Sequence, residues 1–227
     1  MSTAKTALII GASRGLGLGL VQRLLEDGWQ VTATVRNPHK AEALHALGKV
    51  RIEQLDMDDQ HAVLALSQRL KGQVFDLLFV NAGVKGPDNQ LPGQATQAEV
   101  GQLFFTNAVA PINLAQRFVE QIRPNTGVLA FMSSVLGSVT MPDAPELALY
   151  KASKAALNSM TNSFVSRLEQ PLTVLSLHPG WVKTDMGGEG ADIDVLTSTR
   201  GLIAQVNAYT GKGGHHFINY KGETIPW

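Results

Sequence analysis

The sequence predicts an α/β fold, a doubly wound parallel sheet of about seven strands with helices on both faces. Two observations carry that prediction. Short continuous apolar runs, the mark of strands buried on both faces, alternate with longer stretches whose apolar residues recur at helical spacing. The first run also ends in a glycine cluster that opens into a helical pattern, Gly11-Ala12-Ser13-Arg14-Gly15-Leu16-Gly17-Leu18-Gly19. With 227 residues, 44% of them hydrophobic, the chain can bury a large core, and a single domain over 1–227 is expected.

Composition narrows the function. The formal net charge is zero, which argues against nucleic-acid or membrane-surface partners, since both need a basic excess. The chain has no cysteine, so disulfides, thiolate nucleophiles and cysteine-based metal sites are excluded. Only Lys5 precedes the short run Thr6–Ile10, which is too short for a signal-peptide core, and no apolar run approaches a membrane span. A cytoplasmic protein is expected.

The elements follow in order. Ala7 to Ile10 reads as a buried parallel strand, and Leu16, Leu20, Leu24 and Leu25 give the next helix its apolar stripe. In the turn between them Gly11 supplies permissive backbone angles. Gly15 and Gly17 let the backbone approach a ligand and the helix pack close to the strand. The helix N-terminus then offers N–H groups to a pyrophosphate, the arrangement of a Rossmann-type dinucleotide site. The spacing here is G-x-x-x-G-x-G.

Val31 to Val35 is the second strand and ends at Arg36. An acid at this point would bond a ribose 2′-hydroxyl, whereas an arginine suits a 2′-phosphate. Arg14 offers a second cation. Each arginine alone is also compatible with a solvated surface residue, but together they favour NADP(H) over NAD(H). Ala41 to Leu47 reads as a short helix and Val50 to Leu55 as the third strand. Asp56 then either accepts an adenine amino group or caps the helix that begins near Asp58. Val74 to Val80 is the fourth strand and runs into Asn81-Ala82-Gly83, where Asn81 ties neighbouring strands beside the cofactor.

Residues 84–95, rich in Gly, Pro and Asp, form a loop, and a long helix covers about Gln97 to Ile122 with a kink at Pro111. Within it Asn107 is either a core amide satisfied by backbone or part of a proton relay. Val128 to Met132 is the fifth strand, with Ser133-Ser134 at the edge where open α/β sheets bind ligands. The segment 135–147 holds Gly137, Pro142 and Pro145 and reads as a loop, which weakens a helix-capping role for Ser134. A helix follows with Leu157, Met160, Phe164 and Leu168 on its apolar face. Leu172 to Leu177 is the sixth strand, 185–201 a cover over the site, Leu202 to Val206 part of a helix, and His216 to Ile218 a last short strand. His215 and His216 would point to opposite faces of that strand and lack a third ligand, so no metal is expected.

On the helix after 147, Tyr150 and Lys154 lie four positions apart, hence on one face. A free phenol titrates near pH ~10, and an ammonium beside it favours the phenolate. The pair can therefore make tyrosine a general acid or base. Alternatively, Tyr150 is a half-buried packing residue and Lys154 a solvated one.

Together, Gly11-x-x-x-Gly15-x-Gly17, Asp56, Asn81-Ala82-Gly83, Asn107, Ser134, Tyr150-x-x-x-Lys154 and Pro179-Gly180 resemble the classical short-chain dehydrogenases/reductases over essentially the whole chain. The run Pro179 to Met186 and the tail Asn219-Tyr220-Lys221-Gly222 are similar to the carbonyl-reductase and C-factor-like branch. The resemblance implies roles. Tyr150 would be the general acid in carbonyl reduction, with Lys154 lowering its pKa and binding the nicotinamide ribose. Ser134 would bond the substrate oxygen, and Asn107 would hold a water linking Lys154 to solvent. Thr184 and the backbone near Val182 would hold the nicotinamide amide, and Arg36 with Arg14 the 2′-phosphate. Ser13 and Leu16 of the glycine turn would also line the cofactor.

Three features depart from the pattern. Ile10 stands where the family has threonine, Val80 replaces the first asparagine of Asn-Asn-Ala-Gly, and the interval from Ser134 to Tyr150 is a few residues longer. The expected protein is an NADPH-dependent reductase of a small ketone or aldehyde. Its substrate loops would be 84–95, 135–147 and 185–201. Trp181, Met186, Val135 and Met141 suggest an apolar pocket. The family likeness implies a homodimer or homotetramer through the helices starting near Gln97 and Ala148. The alternative is a cofactor-binding regulatory or signalling protein on the same fold with little turnover.

Overall fold

The computed structural model describes residues 4–141 and 144–227. It places the apolar runs in β1 (Thr6–Ile10), β2 (Gln30–Val35), β3 (Val50–Gln54), β4 (Leu77–Val80), β5 (Val128–Met132), β6 (Thr173–His178) and β7 (Gly214–Asn219). The strands form one sheet in the order β3-β2-β1-β4-β5-β6-β7, and all the pairings are parallel. The helices are α1 (Gly15–Glu26), α2 (Glu42–His45), α3 (Gln60–Arg69), α4 (Gln97–Phe104), α5 (Ala110–Phe118), α6 (Ala148–Val165) and α7 (Val195–Tyr209).

Strand alternation explains the two cores. Ala7, Ile9, Phe79 and Ala130 point to one face and pack under α1 and α7 through Leu20, Leu24, Leu202 and Val206. Leu8, Ile10, Leu78 and Phe131 point to the other face and meet Val63 and Leu66 of α3, Leu114 and Phe118 of α5, and Leu157 and Phe164 of α6. The strands read as unbroken apolar runs because both faces are covered. This is the doubly wound arrangement expected.

The order of connection reverses between β1 and β4, whose ends are level because Ile10 pairs with Val80. Gly11 and Asn81-Ala82-Gly83 therefore meet over the crevice where ligands bind in open α/β sheets.

Several boundaries differ from those expected. The fourth strand starts at Leu77, because Val74 is 41% exposed and Phe75 makes only an isolated bridge to Ile122. The long helix is divided: α4 leads into a π-helical turn at Phe105–Val109, then α5 and a 3-10 turn at Val119–Gln121. Pro111 has no N–H to give to the carbonyl four residues back, that of Asn107, so the widened turn falls just before it rather than as a kink after it. The cover at 185–201 is shorter than expected. Asp194 accepts a bond from the Thr197 N–H at 2.7 Å, so α7 begins at Val195 and leaves only 185–194 irregular. The segment 135–147 contains 3-10 turns at Val135–Gly137 and Pro145–Leu147, and Pro142 of that loop lies outside the described residues. Residues 84–95 hold neither strand nor helix. Among the described residues, no helix is long and apolar enough to cross a membrane.

Candidate active site

A cleft of about 1470 Å³ runs along the C-terminal edge of the sheet, from Arg36 and Asp56 past the glycine turn to Tyr150 and Trp181. The glycine turn forms its floor. Gly11 has φ +84°, and a Cβ there would come within 2.8 Å of the Ala82 Cβ. A Cβ on Gly17 would lie 2.1 Å from the Gly11 carbonyl oxygen, so only glycine lets α1 pack this close. Asn81 donates its side-chain N–H to that same carbonyl at 2.8 Å, and Ala12 donates to the Thr34 carbonyl at 2.9 Å. The residue before α1 is Arg14, in extended conformation, and no side chain caps the helix. Gly15 and Leu16 of its first turn line the cleft, and a helix N-terminus there supplies N–H donors suited to a pyrophosphate.

Arg14 and Arg36 both line the cleft. Arg36 is exposed at the end of β2 and lines the cleft. Arg14 pairs with Asp185 at 2.6 Å across the mouth of the cleft, both side chains about three-quarters exposed. Asp56 accepts a bond from the Asp58 N–H at 3.1 Å, and it is Asp59, not Asp56 or Asp58, that caps α3. Asp58, for which no role was expected, accepts bonds from Thr106 at 2.5 Å and Gln102 at 2.7 Å. Its other oxygen is buried without a partner among the described residues.

At the other end, α6 brings Tyr150 and Lys154 against β5. Lys154 is 4% exposed and donates from Nζ to the Met132 carbonyl at 2.8 Å. Burial pushes its pKa down to about 8. Burial also pushes the Tyr150 phenol up to about 12, against a hydrogen bond with Ser134 that lowers it. The lowering expected from Lys154 is therefore overridden: the ammonium lies 5.8 Å from the ring centroid and desolvation dominates. The two adjacent serines separate cleanly. Ser133 donates to Asn158 at 2.8 Å away from Tyr150, while the Ser134 oxygen also accepts the Leu136 N–H at 3.1 Å. Ser134 thus does cap a turn, a role that the loop-like sequence after it had obscured.

Asn107 sits in the π-helical turn, 1% exposed. Its side-chain oxygen accepts the Val84 N–H at 2.9 Å, and its nitrogen donates to the Val84 carbonyl at 2.8 Å and to Ser153 Oγ at 3.0 Å. A Cβ added at Gly83 would lie 3.2 Å from the Asn107 oxygen and 3.4 Å from Lys154 Nζ, so those two groups face one small space beside Gly83.

The far end of the cleft is built by the segment after β6. Gly180 has φ +85°, and a Cβ there would meet Ile193 at 2.7 Å. Val182 bridges to Ile193, and Thr184 Oγ1 donates to the Val182 carbonyl at 3.3 Å and accepts the Gly187 N–H at 3.1 Å. Pro179, Val182 and Thr184 all line the cleft, as do Ser13, Gly15 and Leu16. His178 lines it too. It is pushed down to about 4 by burial and leaves Nδ1 without a partner among the described residues. His215 and His216 are engaged elsewhere. His215 bonds Asn162 at 2.6 Å and Ser176 at 2.8 Å, and His216 bonds the Gly213 carbonyl at 2.8 Å.

Comparison with known proteins matches this arrangement to others. A family model described as short chain dehydrogenase covers residues 5–192. A Burkholderia multivorans chain described as a short-chain dehydrogenase/reductase, solved with bound NADP, superposes with a TM-score of 0.94 at 36% identity, covering 99% of this chain and 100% of that one. A carbonyl reductase from Pseudomonas aeruginosa PAO1 in complex with NADP superposes with a TM-score of 0.92 at 37% identity, covering 99% and 100%. The protein named C-signal of Myxococcus xanthus is 34% identical over 155 residues, which span 67% of this chain and 92% of that protein. The fold, the ordered motifs along the crevice and these matches agree that the chain belongs to the short-chain dehydrogenase family.

Proposed function

We propose that the protein is an NADPH-dependent carbonyl reductase, acting on a ketone or aldehyde. The observation that carries this reading is the Ser134, Tyr150 and Lys154 cluster beside the crevice. Its fit to the cofactor rests on the uncapped N-terminus of α1 and on the Arg36 guanidinium at the rim. Bound NADPH would supply the hydride that adds to the carbonyl carbon. The residues supply the rest. Ser134 donates a hydrogen bond to the carbonyl oxygen as negative charge builds there. Tyr150, held as a phenol by its burial, gives its proton to that oxygen. Lys154, largely an ammonium at neutral pH, stands behind the phenol and stabilises the phenolate left after transfer. Asn107 holds the loop at Val84 against α6 through Ser153, and so keeps the space beside Lys154 open for a water that returns the proton.

Arg36, with Arg14 when it leaves Asp185, would meet the 2′-phosphate. Trp181 and Met186, both about half-exposed, and Val135 line the entrance and favour an apolar carbonyl compound. A second reading, a signalling protein with little turnover, is favoured by the 34% identity to the protein named C-signal. NADPH consumption by the purified protein against a panel of ketones, quinones and aldehydes separates the two. Turnover supports the reductase. Tight NADPH binding with no turnover on any of them supports the second reading.

A further inference from the structure

The N-terminus of α6 has an unusual cap. A helix leaves its first N–H groups without intrahelical partners, and a Ser, Thr, Asp or Asn at the N-cap position normally accepts from them. The N-cap of α6 is Leu147, which has no acceptor in its side chain and is the last residue of a 3-10 turn entered through Ala144 at φ 49°. The acceptors come from Gln90, in the loop after β4. Its side-chain oxygen accepts the Tyr150 N–H at 2.8 Å, and its backbone carbonyl accepts the Leu149 N–H at 3.3 Å.

The other end of the same amide is tied down. The Gln90 nitrogen donates to the Lys85 carbonyl at 3.0 Å and to the Pro87 carbonyl at 2.7 Å, and the residue is 4% exposed. Gly86, at φ +90°, folds the loop around it; a Cβ there would lie 2.9 Å from Leu103 and 3.3 Å from the Gln90 nitrogen. One residue before Lys85, Val84 is held at both its N–H and its carbonyl by Asn107. A chain of partly buried hydrogen bonds thus runs from Asn107 through 84–90 to the backbone of Tyr150.

We infer that Gln90 is a positioning residue for Tyr150. It fixes the first turn of α6, and with it the phenol, relative to Ser134 and Lys154. The inference rests on Tyr150 being the proton donor. A glutamine suits the task because one planar amide accepts at the helix while donating twice to the loop, which neither a serine cap nor a carboxylate does. Small misplacements of a reacting group are costly to rate, about a hundredfold for an ångström.

The test compares wild type, Gln90→Met and Gln90→Glu. Met keeps the shape and removes the three side-chain hydrogen bonds while leaving the backbone bond to the Leu149 N–H, whereas Glu keeps an acceptor for the Tyr150 N–H. Three quantities are read: hydrogen exchange at the Leu149 and Tyr150 amides, NADPH affinity, and kcat against KM for a carbonyl substrate. For Gln90→Met we expect Tyr150 amide exchange about tenfold faster or more, kcat lowered about tenfold, and NADPH affinity within about twofold of wild type. Gln90→Glu should recover part of the amide protection and a matching part of kcat, since it still accepts the Tyr150 N–H but turns its second oxygen on the Lys85 and Pro87 carbonyls. Faster exchange in Gln90→Met with an unchanged kcat would overturn the inference and leave Gln90 a cap alone. If Gln90→Met does not fold, Gln90→Glu decides: a kcat that tracks the Tyr150 amide protection supports the role, and protection lost with kcat unchanged, or kept with kcat as low as in Tyr150→Phe, refutes it. A wild-type protein without turnover on any carbonyl would instead overturn the reductase reading, which the exchange data would not touch.

Discussion

Replacing Lys154 by Met should make the protein more tolerant of neutral pH while removing its activity. Lys154 is an almost fully buried ammonium that donates to the Met132 carbonyl. Its pKa falls from 10.5 to about 8 on folding, so the folded state binds its proton more weakly than the unfolded chain does. Between those values the unfolded chain holds more protons, and stability rises with pH. The gap corresponds to about 3 kcal/mol, absent below pH ~8 and fully present only above pH ~10.5. Relative to Lys154→Met, wild type should therefore gain about 2–3 kcal/mol as pH is raised from 7.5 to 10. Urea unfolding of both proteins across that range measures it, and the difference between them removes titrations they share, including that of Tyr150. A difference that stays flat, or that moves against wild type as pH rises, would refute the claim that burial lowers the pKa of this lysine.

Other outcomes follow from the same geometry. Ser134→Ala should lower kcat about a hundredfold or more, by loss of the donor to the developing oxyanion, as steady-state kinetics would read. Ser133→Ala should behave differently: it strands the buried Asn158 oxygen and costs about 1–3 kcal/mol in chemical denaturation, while leaving NADPH affinity intact. Arg36→Asp should weaken NADPH binding and relatively favour NADH, and an unchanged ratio of the two dissociation constants would remove Arg36 from the 2′-phosphate site.

Much of this was readable in the sequence because the signals are local. Unbroken apolar runs such as Leu77–Val80 and Val128–Met132 specify strands buried on both faces, and glycines at 11 and 17 mark a turn whose crowding against Ala82 and the Gly11 carbonyl the structure displays. The misplaced features depend on what touches what. Pro111 announced an irregular helix, but its effect lands one turn earlier, at Phe105–Val109, where the missing donor is felt. Asp194 could have marked the start of α7, being three residues before Thr197, yet it sits among other acids and glycines that read as loop. The Tyr150 pKa went the other way from the expected one because helical spacing reveals proximity to Lys154 and says nothing of desolvation. Gln90 and His178 have no local signal: a glutamine sixty positions from the helix it caps is visible only once the loop is folded.

The most direct test of the central claim is single-turnover oxidation of bound NADPH by a carbonyl substrate, in wild type and in Tyr150→Phe. Phe keeps the ring packing and removes only the proton donor. The account predicts that both proteins bind NADPH equally and that Tyr150→Phe loses at least about a hundredfold in the rate of hydride transfer. A Tyr150→Phe protein that transfers hydride at the wild-type rate would contradict it.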